Sequence, residues 1–339
     1  MSKGKILLVK TSSLGDVVHA LPAVTDAISQ GYSFDWVVEE SFADIPKMHP
    51  GVDRVIPMAW RRWRKDLRRN REQMTAFYGD LRSSDYDVVL DSQGPIKSAV
   101  VALLARGTRA GFSHTSAREP WAAFGYQNRL SVPKGGHAID RQRHLFASAL
   151  NYEVGDAWRS GIEIDTEKEI DPAHSPKVFL LHGTTWPTKY WPEVMWLDLV
   201  AKLKAQDQEP LVTWGNDEER TRAERLVQAG ATMIDRRPLD ELIKVLKTCT
   251  RVVSVDSGLG HLAAALGIPT VGIYGATSAE LTGFRGVASV SLQGETTCSP
   301  CVRKMCTKYE GDPLTWRDQP IEPPCYAALT PDRILGLEA

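Results

Sequence analysis

The segment His182-Gly183-Thr184-Thr185-Trp186-Pro187-Thr188-Lys189-Tyr190-Trp191-Pro192 sets hydroxyl groups and a lysine between the apolar run 178–181 and a helical pattern that begins at Glu193. A strand, a polar loop and a helix N-terminus in that order supply hydroxyl donors, a cation and the positive end of a helix dipole. Those are the parts of a site for a phosphate-bearing ligand. The glycine spacing matches neither a Walker loop nor a dinucleotide fingerprint. The plainer reading is a strand–helix connection in which Thr185 and Thr188 satisfy backbone groups and Lys189 is solvated.

Two further loops have the same strand-to-helix form. Lys10-Thr11-Ser12-Ser13-Leu14-Gly15-Asp16 follows the first apolar strand, 5–9, at the place where ligands bind in open α/β sheets. Gly15 permits the tight turn. Asp16 falls at the start of the next helix, where it either caps that helix or, kept ionised by the helix N-terminus, acts as a general base. The buried run 252–255 ends in Asp256-Ser257-Gly258-Leu259-Gly260-His261, whose successive N–H groups would form an anion-binding nest. Asp256 could cap the helix or hold a ribose or sugar hydroxyl. Glu218, just after Trp214-Gly215, is a weaker candidate for ribose recognition and equally an ordinary first-turn acid.

Trp60-Arg61-Arg62-Trp63-Arg64-Lys65, with Arg68, Arg69 and Arg71 following, is offset only by Asp66. Such a run is a solvated face, a polyanion site or, given its tryptophans, a contact for an anionic membrane surface. No RNA-binding module surrounds it, and a net charge of −1 argues against a dedicated nucleic-acid binder. Cys298, Cys301 and Cys306 form C-x2-C-x4-C, with Cys325 later. In a reducing compartment these are either free thiols or a closed, four-thiolate structural zinc or iron site lying away from the reaction. Asp85-Tyr86-Asp87 has the form of a metal-binding D-x-D but reads as a polar turn, so no catalytic metal is implied.

The elements that must position these residues alternate. Strand-like runs at 5–9, 34–38, 54–56, 88–90, 178–181, 211–214, 252–255 and 270–274 are separated by helical patterns, as in doubly wound parallel sheets. A polar, proline-containing break at 165–176 reads as a linker between two Rossmann-like domains that face a cleft. No internal repeat is visible. The 339 residues suit two domains of ordinary size, and the hydrophobic share of 42% suits a globular protein. The apolar run near the N-terminus is too short for a signal peptide, and no stretch approaches the ~20 residues of a membrane span. A cytoplasmic protein that touches membranes from their surface is expected.

The motifs just quoted, with Phe34-Asp-Trp-Val-Val-Glu-Glu40 and Thr115-Ser-Ala-Arg-Glu-Pro120, run in order from residue 5 to about residue 275 and resemble the lipopolysaccharide heptosyltransferase I group of glycosyltransferase family 9. The resemblance implies a GT-B enzyme that moves L-glycero-D-manno-heptose, with inversion, from ADP-heptose to the Kdo of Kdo2-lipid A. Asp16 would be the base. Thr184, Thr185 and Lys189 would hold the diphosphate, and Glu218, Asp256, Ser257, Gly258 and His261 the rest of the donor. Arg61, Arg62, Arg64, Lys65 and Arg118 would hold the anionic acceptor. The implied domains are 1–165 for the acceptor, a linker at 166–176, 177–325 for ADP-heptose, and a C-terminal helix over 326–339 returning to the N-terminal domain. The enzyme would work peripherally on the inner face of the inner membrane and need no catalytic cofactor. The cysteine cluster is a departure from the type I pattern. Alternatives are a family member with another acceptor, a nucleotide-sugar epimerase of similar build, or a non-catalytic binding protein.

Overall fold

Apolar runs of the first half become the parallel strands β1 (Gly4–Val9), β2 (Tyr32–Glu39), β3 (Val52–Met58), β4 (Tyr86–Asp91), β5 (Gly107–Phe112) and β6 (Asn128–Leu130) in a computed structural model of the chain. Their order is β3-β2-β1-β4-β5-β6. The second half gives β7 (Lys177–Leu181), β8 (Glu209–Thr213), β9 (Thr232–Ile234), β10 (Arg251–Val255), β11 (Thr270–Tyr274) and β12 (Ser289–Gln293), ordered β12-β11-β10-β7-β8-β9. Counted within its own sheet, each has the order 3-2-1-4-5-6 of a doubly wound fold. The sequence shows no repeat, yet the topology is duplicated.

The structure describes residues 3–164, 175–307 and 309–337. The chain divides into two units, Met1–Ile162 and Glu163–Ala339. The expected linker at 166–176 lies, apart from its last two residues, outside the described residues. Central strands are largely apolar because helices cover both faces: Ile6, Leu7, Leu8 and Val9 of β1 are fully buried, as are Val252, Val253 and Val255 of β10. The helix Leu14–Ser29 buries Val17, Val18, Leu21, Val24 and Ala27 against the first sheet, the stripe its spacing predicts.

The C-terminal helix is shorter than expected, Pro331–Leu335, and it is anchored in the second unit. Ile334 is buried in that unit's core, Lys202 pairs with Asp332 at 2.6 Å, and Arg251 donates to the Ile334 carbonyl at 2.9 Å. Apolar burial and two polar ties hold it there.

Candidate active site

Strand order reverses between β1 and β4 in the first unit, so the loops that leave those two strands share one gap. Lys10 and Ser92 lead these loops, and Lys10 Nζ donates to the Ser92 carbonyl at 3.0 Å. Gln93 Oε1 accepts the N–H groups of Thr11 at 3.0 Å and Ser12 at 3.2 Å, tying the loops together. Beneath them Asp91 accepts the Tyr126 hydroxyl at 2.6 Å and the Gln93 N–H at 2.8 Å, and burial raises its pKa. Burial also lowers the pKa of Lys10 against the pull of Asp16 and Asp91, with Arg141 and Arg118 adding to the lowering.

Asp16 is not the N-cap of its helix. Ser13 is, and Asp16 stands at the third helical position, closing a capping box. Its Oδ2 accepts the Ser13 N–H at 2.7 Å and the Ser13 hydroxyl at 3.0 Å. Both bonds engage the same oxygen, so Oδ1 lies outside the capping pair. The residue also lines a cavity of about 400 Å³ with Lys10, His19, Arg118, Lys134 and Arg141. Capping and a role in the site are therefore compatible, because the cap fixes the carboxylate that the cavity uses. Sequence reasoning named Arg118 but missed Lys10, Lys134 and Arg141 as lining groups. Lys10 had a signal, a lysine ending an otherwise apolar strand.

Arg61, Arg62, Arg64 and Lys65 do not line this cavity. They follow β3, where Arg62 forks onto Glu40 at 3.2 and 2.9 Å and the Arg61 guanidinium lies 5.3 Å from the Phe42 ring centre. Trp63 is buried, its indole N–H on Gln73 at 3.1 Å, so it packs the core and does not face a membrane.

In the second sheet the order reverses between β7 and β10. Thr184 Oγ1 donates to the Asp256 carbonyl at 3.1 Å, joining the two loops. Lys189 Nζ lies 2.7 Å from Asp256 Oδ2, and His261 Nε2 lies 3.5 Å from Oδ1. Burial alone would raise the Asp256 pKa, but His261 and Lys189 overcome it and hold the carboxyl well below the usual range. Ser257 caps the helix Gly258–Ala265 by accepting the Gly260 N–H at 3.2 Å. Thr184, Lys189, Asp256, Ser257, Gly258 and His261 are thus gathered at one strand-end gap, while Thr185 is exposed beside it. His182 directly follows β7 with Nε2 at 3.1 Å from the Thr213 carbonyl, and burial pushes its pKa down to about 4.

Glu218 and Glu219 both stand at the β8 junction. Glu218 is exposed in the first turn of the helix Asp217–Gln228. Its neighbour Glu219 accepts the Gly215 N–H at 2.7 Å, and a Cβ at Gly183 would come within 2.7 Å of its carboxyl carbon. Only glycine at 183 lets that carboxylate approach the donor loop.

The four late cysteines are free thiols that border one small cavity together with Thr188. Burial raises the Cys306 thiol and pushes Cys325 up to about 12. Of the two alternatives, a zinc or iron site finds no counterpart among the described residues, where no group of three or more His, Cys, Asp and Glu side chains is arranged to hold a metal ion. Nor is the segment remote. The Thr188 hydroxyl donates to the Arg303 carbonyl, and Lys304 Nζ lies 5.6 Å from the Trp186 ring centre. Asp85 and Asp87 sit at the start of β4, the opposite edge of the sheet from the ligand loops, where Asp87 accepts the Lys5 N–H at 2.7 Å.

Two doubly wound sheets, one with a cationic cavity around a single carboxylate and one with a lysine beside a helix N-terminus, define a glycosyltransferase of the GT-B class. The chain belongs to glycosyltransferase family 9 (heptosyltransferase), whose sequence model matches residues 74–310. It is 43% identical to lipopolysaccharide heptosyltransferase 1 of Pseudomonas aeruginosa over 97% of this chain and 96% of that protein. Identity to the Escherichia coli K12 protein of the same name is 41%, over 83% and 91% of the two chains. Among solved structures, E. coli heptosyltransferase WaaC with ADP is similar at a TM-score of 0.79 and 39% identity, covering 85% of this chain and 92% of that one. E. coli ADP-heptose lipopolysaccharide heptosyltransferase II, 19% identical, shares the fold at a TM-score of 0.68 over 85% and 90% of the chains.

Proposed function

We propose that the chain transfers L-glycero-D-manno-heptose from ADP-heptose to the Kdo of Kdo2-lipid A, with inversion, during assembly of the lipopolysaccharide inner core. The observation that carries this reading is the cationic cavity around Asp16, which suits an acceptor rich in carboxylate and phosphate. The E. coli WaaC structures with ADP and with ADP-2-deoxy-2-fluoro heptose support the donor. As the acceptor oxygen bonds to the anomeric carbon, Asp16 takes its proton. The bond from that carbon to the diphosphate oxygen breaks, and ADP leaves with the electron pair. Lys189 and the N–H groups opening the helix Gly258–Ala265 meet the charge that develops on the diphosphate. The nearness of the Glu219 carboxylate to Gly183 favours Glu219 over Glu218 for the ribose hydroxyls. A base and counter-charges are supplied by side chains, so the reading calls for no metal in the reaction.

No helix among the described residues is long and apolar enough to cross a membrane. Separately, the lipid-borne acceptor of this reading would be met at a bilayer surface, with the enzyme working peripherally on the cytoplasmic face of the inner membrane. The test is incubation of the purified chain with ADP-heptose and Kdo2-lipid A in detergent, read by mass spectrometry. One added heptose is expected. Extension only of acceptors that already carry heptose would replace the acceptor with that of another family member. Conversion of ADP-heptose without any acceptor would point to an epimerase.

A further inference from the structure

Six of the eight large apolar side chains that the described residues of the first unit leave exposed come from two adjoining elements. The helix Ile96–Leu104 buries Ser98, Ala99, Val101 and Ala102. Ile96, Val100, Leu103 and Leu104, at helical spacing on its other side, are 47, 47, 49 and 39% exposed. Against this helix lies the short 3₁₀ segment Pro120–Gly125, with Gly125 on the Ala99 and Leu103 side chains. That segment buries Ala122 and Ala123 and presents Trp121 and Phe124, 72 and 70% exposed and stacked with ring centres 5.8 Å apart. Monomeric soluble proteins do not usually leave so concentrated an apolar surface bare.

The rim of this face is basic. The Arg129 guanidinium lies 5.5 Å from the Phe124 ring centre, and Arg82 donates to the Leu104 carbonyl at 3.1 Å. Between residues 94 and 134 the sequence carries Lys97, Arg106, Arg109, Arg118, Arg129 and Lys134 against Glu119 alone. Glu119 is itself occupied, accepting the Ile96 N–H at 2.9 Å. The charge decides among occupants. A second copy docked face to face would set one arginine rim against another, whereas anionic head groups complement the rim and accept tryptophan and phenylalanine at their acyl boundary.

We propose that this face docks on an anionic lipid bilayer. The proposal rests on the reading of a lipid-borne acceptor and assigns that reading its membrane surface. Both elements are short continuations of the acceptor cavity: the helix starts three residues after Gln93, and the 3₁₀ segment starts two after Arg118. A bilayer held against Trp121 and Phe124 would therefore adjoin the loops that bind the sugar acid. The expected basic segment at 61–65 contributes charge, since Arg61 and Arg64 reinforce the lowering of the Lys97 pKa that burial begins against the pull of Glu39. The apolar anchor lies elsewhere.

Flotation of the full chain with vesicles of phosphatidylethanolamine and phosphatidylglycerol tests the assignment, with pure phosphatidylcholine vesicles as control. The parent should float with the anionic vesicles, less so as salt rises, and not with phosphatidylcholine. Trp121→Glu with Phe124→Glu should lower the partition coefficient by about tenfold or more. Melting temperature and turnover of a deacylated, water-soluble Kdo acceptor should stay at the parent's values. The milder pair Trp121→Ala and Phe124→Ala guards against a misfolded variant. Undiminished flotation of a folded variant overturns the proposal, as does a parent that ignores anionic vesicles. A parent dimer that these substitutions split while vesicle binding persists would assign the face to a second copy. Failure of both proteins to glycosylate the soluble acceptor would instead count against the acceptor reading, leaving flotation as the measure of docking.

Discussion

The loops after β1 and β7 hold the same position in sheets of the same strand order, and they store positive charge in opposite ways. At the first, Lys10 is buried on a backbone carbonyl, and with Arg118, Lys134 and Arg141 it faces one carboxylate, Asp16. That cavity keeps a standing excess of positive charge. At the second, Lys189 closes on Asp256 at 2.7 Å, and the pair is neutral. An excess suits a ligand that brings its own negative charge and keeps it throughout the reaction. A stored pair suits a ligand whose charge grows as it departs: in the proposed reaction Lys189 would turn from Asp256 to the leaving diphosphate. The topology sets where the two sites lie, and the neighbours of each lysine set what each does.

The sharpest way to break this contrast is Asp16→Asn. Turnover should fall by ~10²–10⁴, the scale for loss of a general base, while calorimetry shows ADP binding unchanged. A near-normal rate in folded protein would leave Asp16 as a capping residue only.

A pH experiment isolates the second sheet. His182 is neutral in the fold, with its pKa pushed down to about 4 from 6.5. Below about pH 6.5 the unfolded chain takes up a proton that the folded one refuses, so stability falls with pH until about 4, by roughly 3 kcal/mol at most. Thermal melts of the parent should lose stability more steeply across that window than melts of His182→Gln. Equal slopes would mean that burial does not hold this imidazole neutral.

Lys189→Ala should weaken ADP binding by roughly 10–100-fold, the range for a charge-assisted hydrogen bond, and slow turnover as well. It also leaves Asp256 without its lysine, so the melting temperature should drop while acceptor KM stays constant. Gly183→Ala should displace the Glu219 carboxylate and raise donor KM by up to about tenfold, with acceptor KM again constant. Unaltered donor kinetics would remove Glu219 from the site. The smallest effect belongs to Arg61, Arg64 and Lys65 changed together to Gln. Acceptor KM should rise a few-fold, and the difference should shrink with salt because exposed charges are screened over about 8 Å.

The central strands were legible because burial on both faces writes continuous apolar runs, as at 5–9 and 252–255. The outer strands were less so: 54–56 marked β3 at one edge, but the strands toward the other edge, and those at the second sheet's edges, were not. β6 and β9 are three residues long, and β5 reads Gly-Thr-Arg-Ala-Gly-Phe, so neither length nor apolarity marks them. Loop residues proposed to carry the chemistry, Asp16, Lys189 and Asp256, stood out through their place after such strands. Arg141 did not, because it lies on an amphipathic helix whose polar positions all look alike in sequence. The tryptophans at 60–63 suggested a membrane contact, yet Trp63 is drawn into the core by Phe77 at 5.4 Å. Exposure is a tertiary property, and no local pattern distinguished Trp63 from Trp121. The choice between Glu218 and Glu219 likewise needed the helix phase, which a one-residue error reverses.

The donor loop is fastened to the end of the chain. The Tyr326 hydroxyl reaches the Thr188 carbonyl at 3.2 Å, and the Trp191 indole N–H reaches the Leu329 carbonyl at 2.9 Å. Local opening of either segment must break bonds made by the other, so the two breathe as one cooperative unit. Anything that binds only the closed loop lowers the population of the opened tail by mass action. Occupancy of the nucleotide site should therefore slow the fraying and proteolytic trimming of the segment around Tyr326 and Leu329.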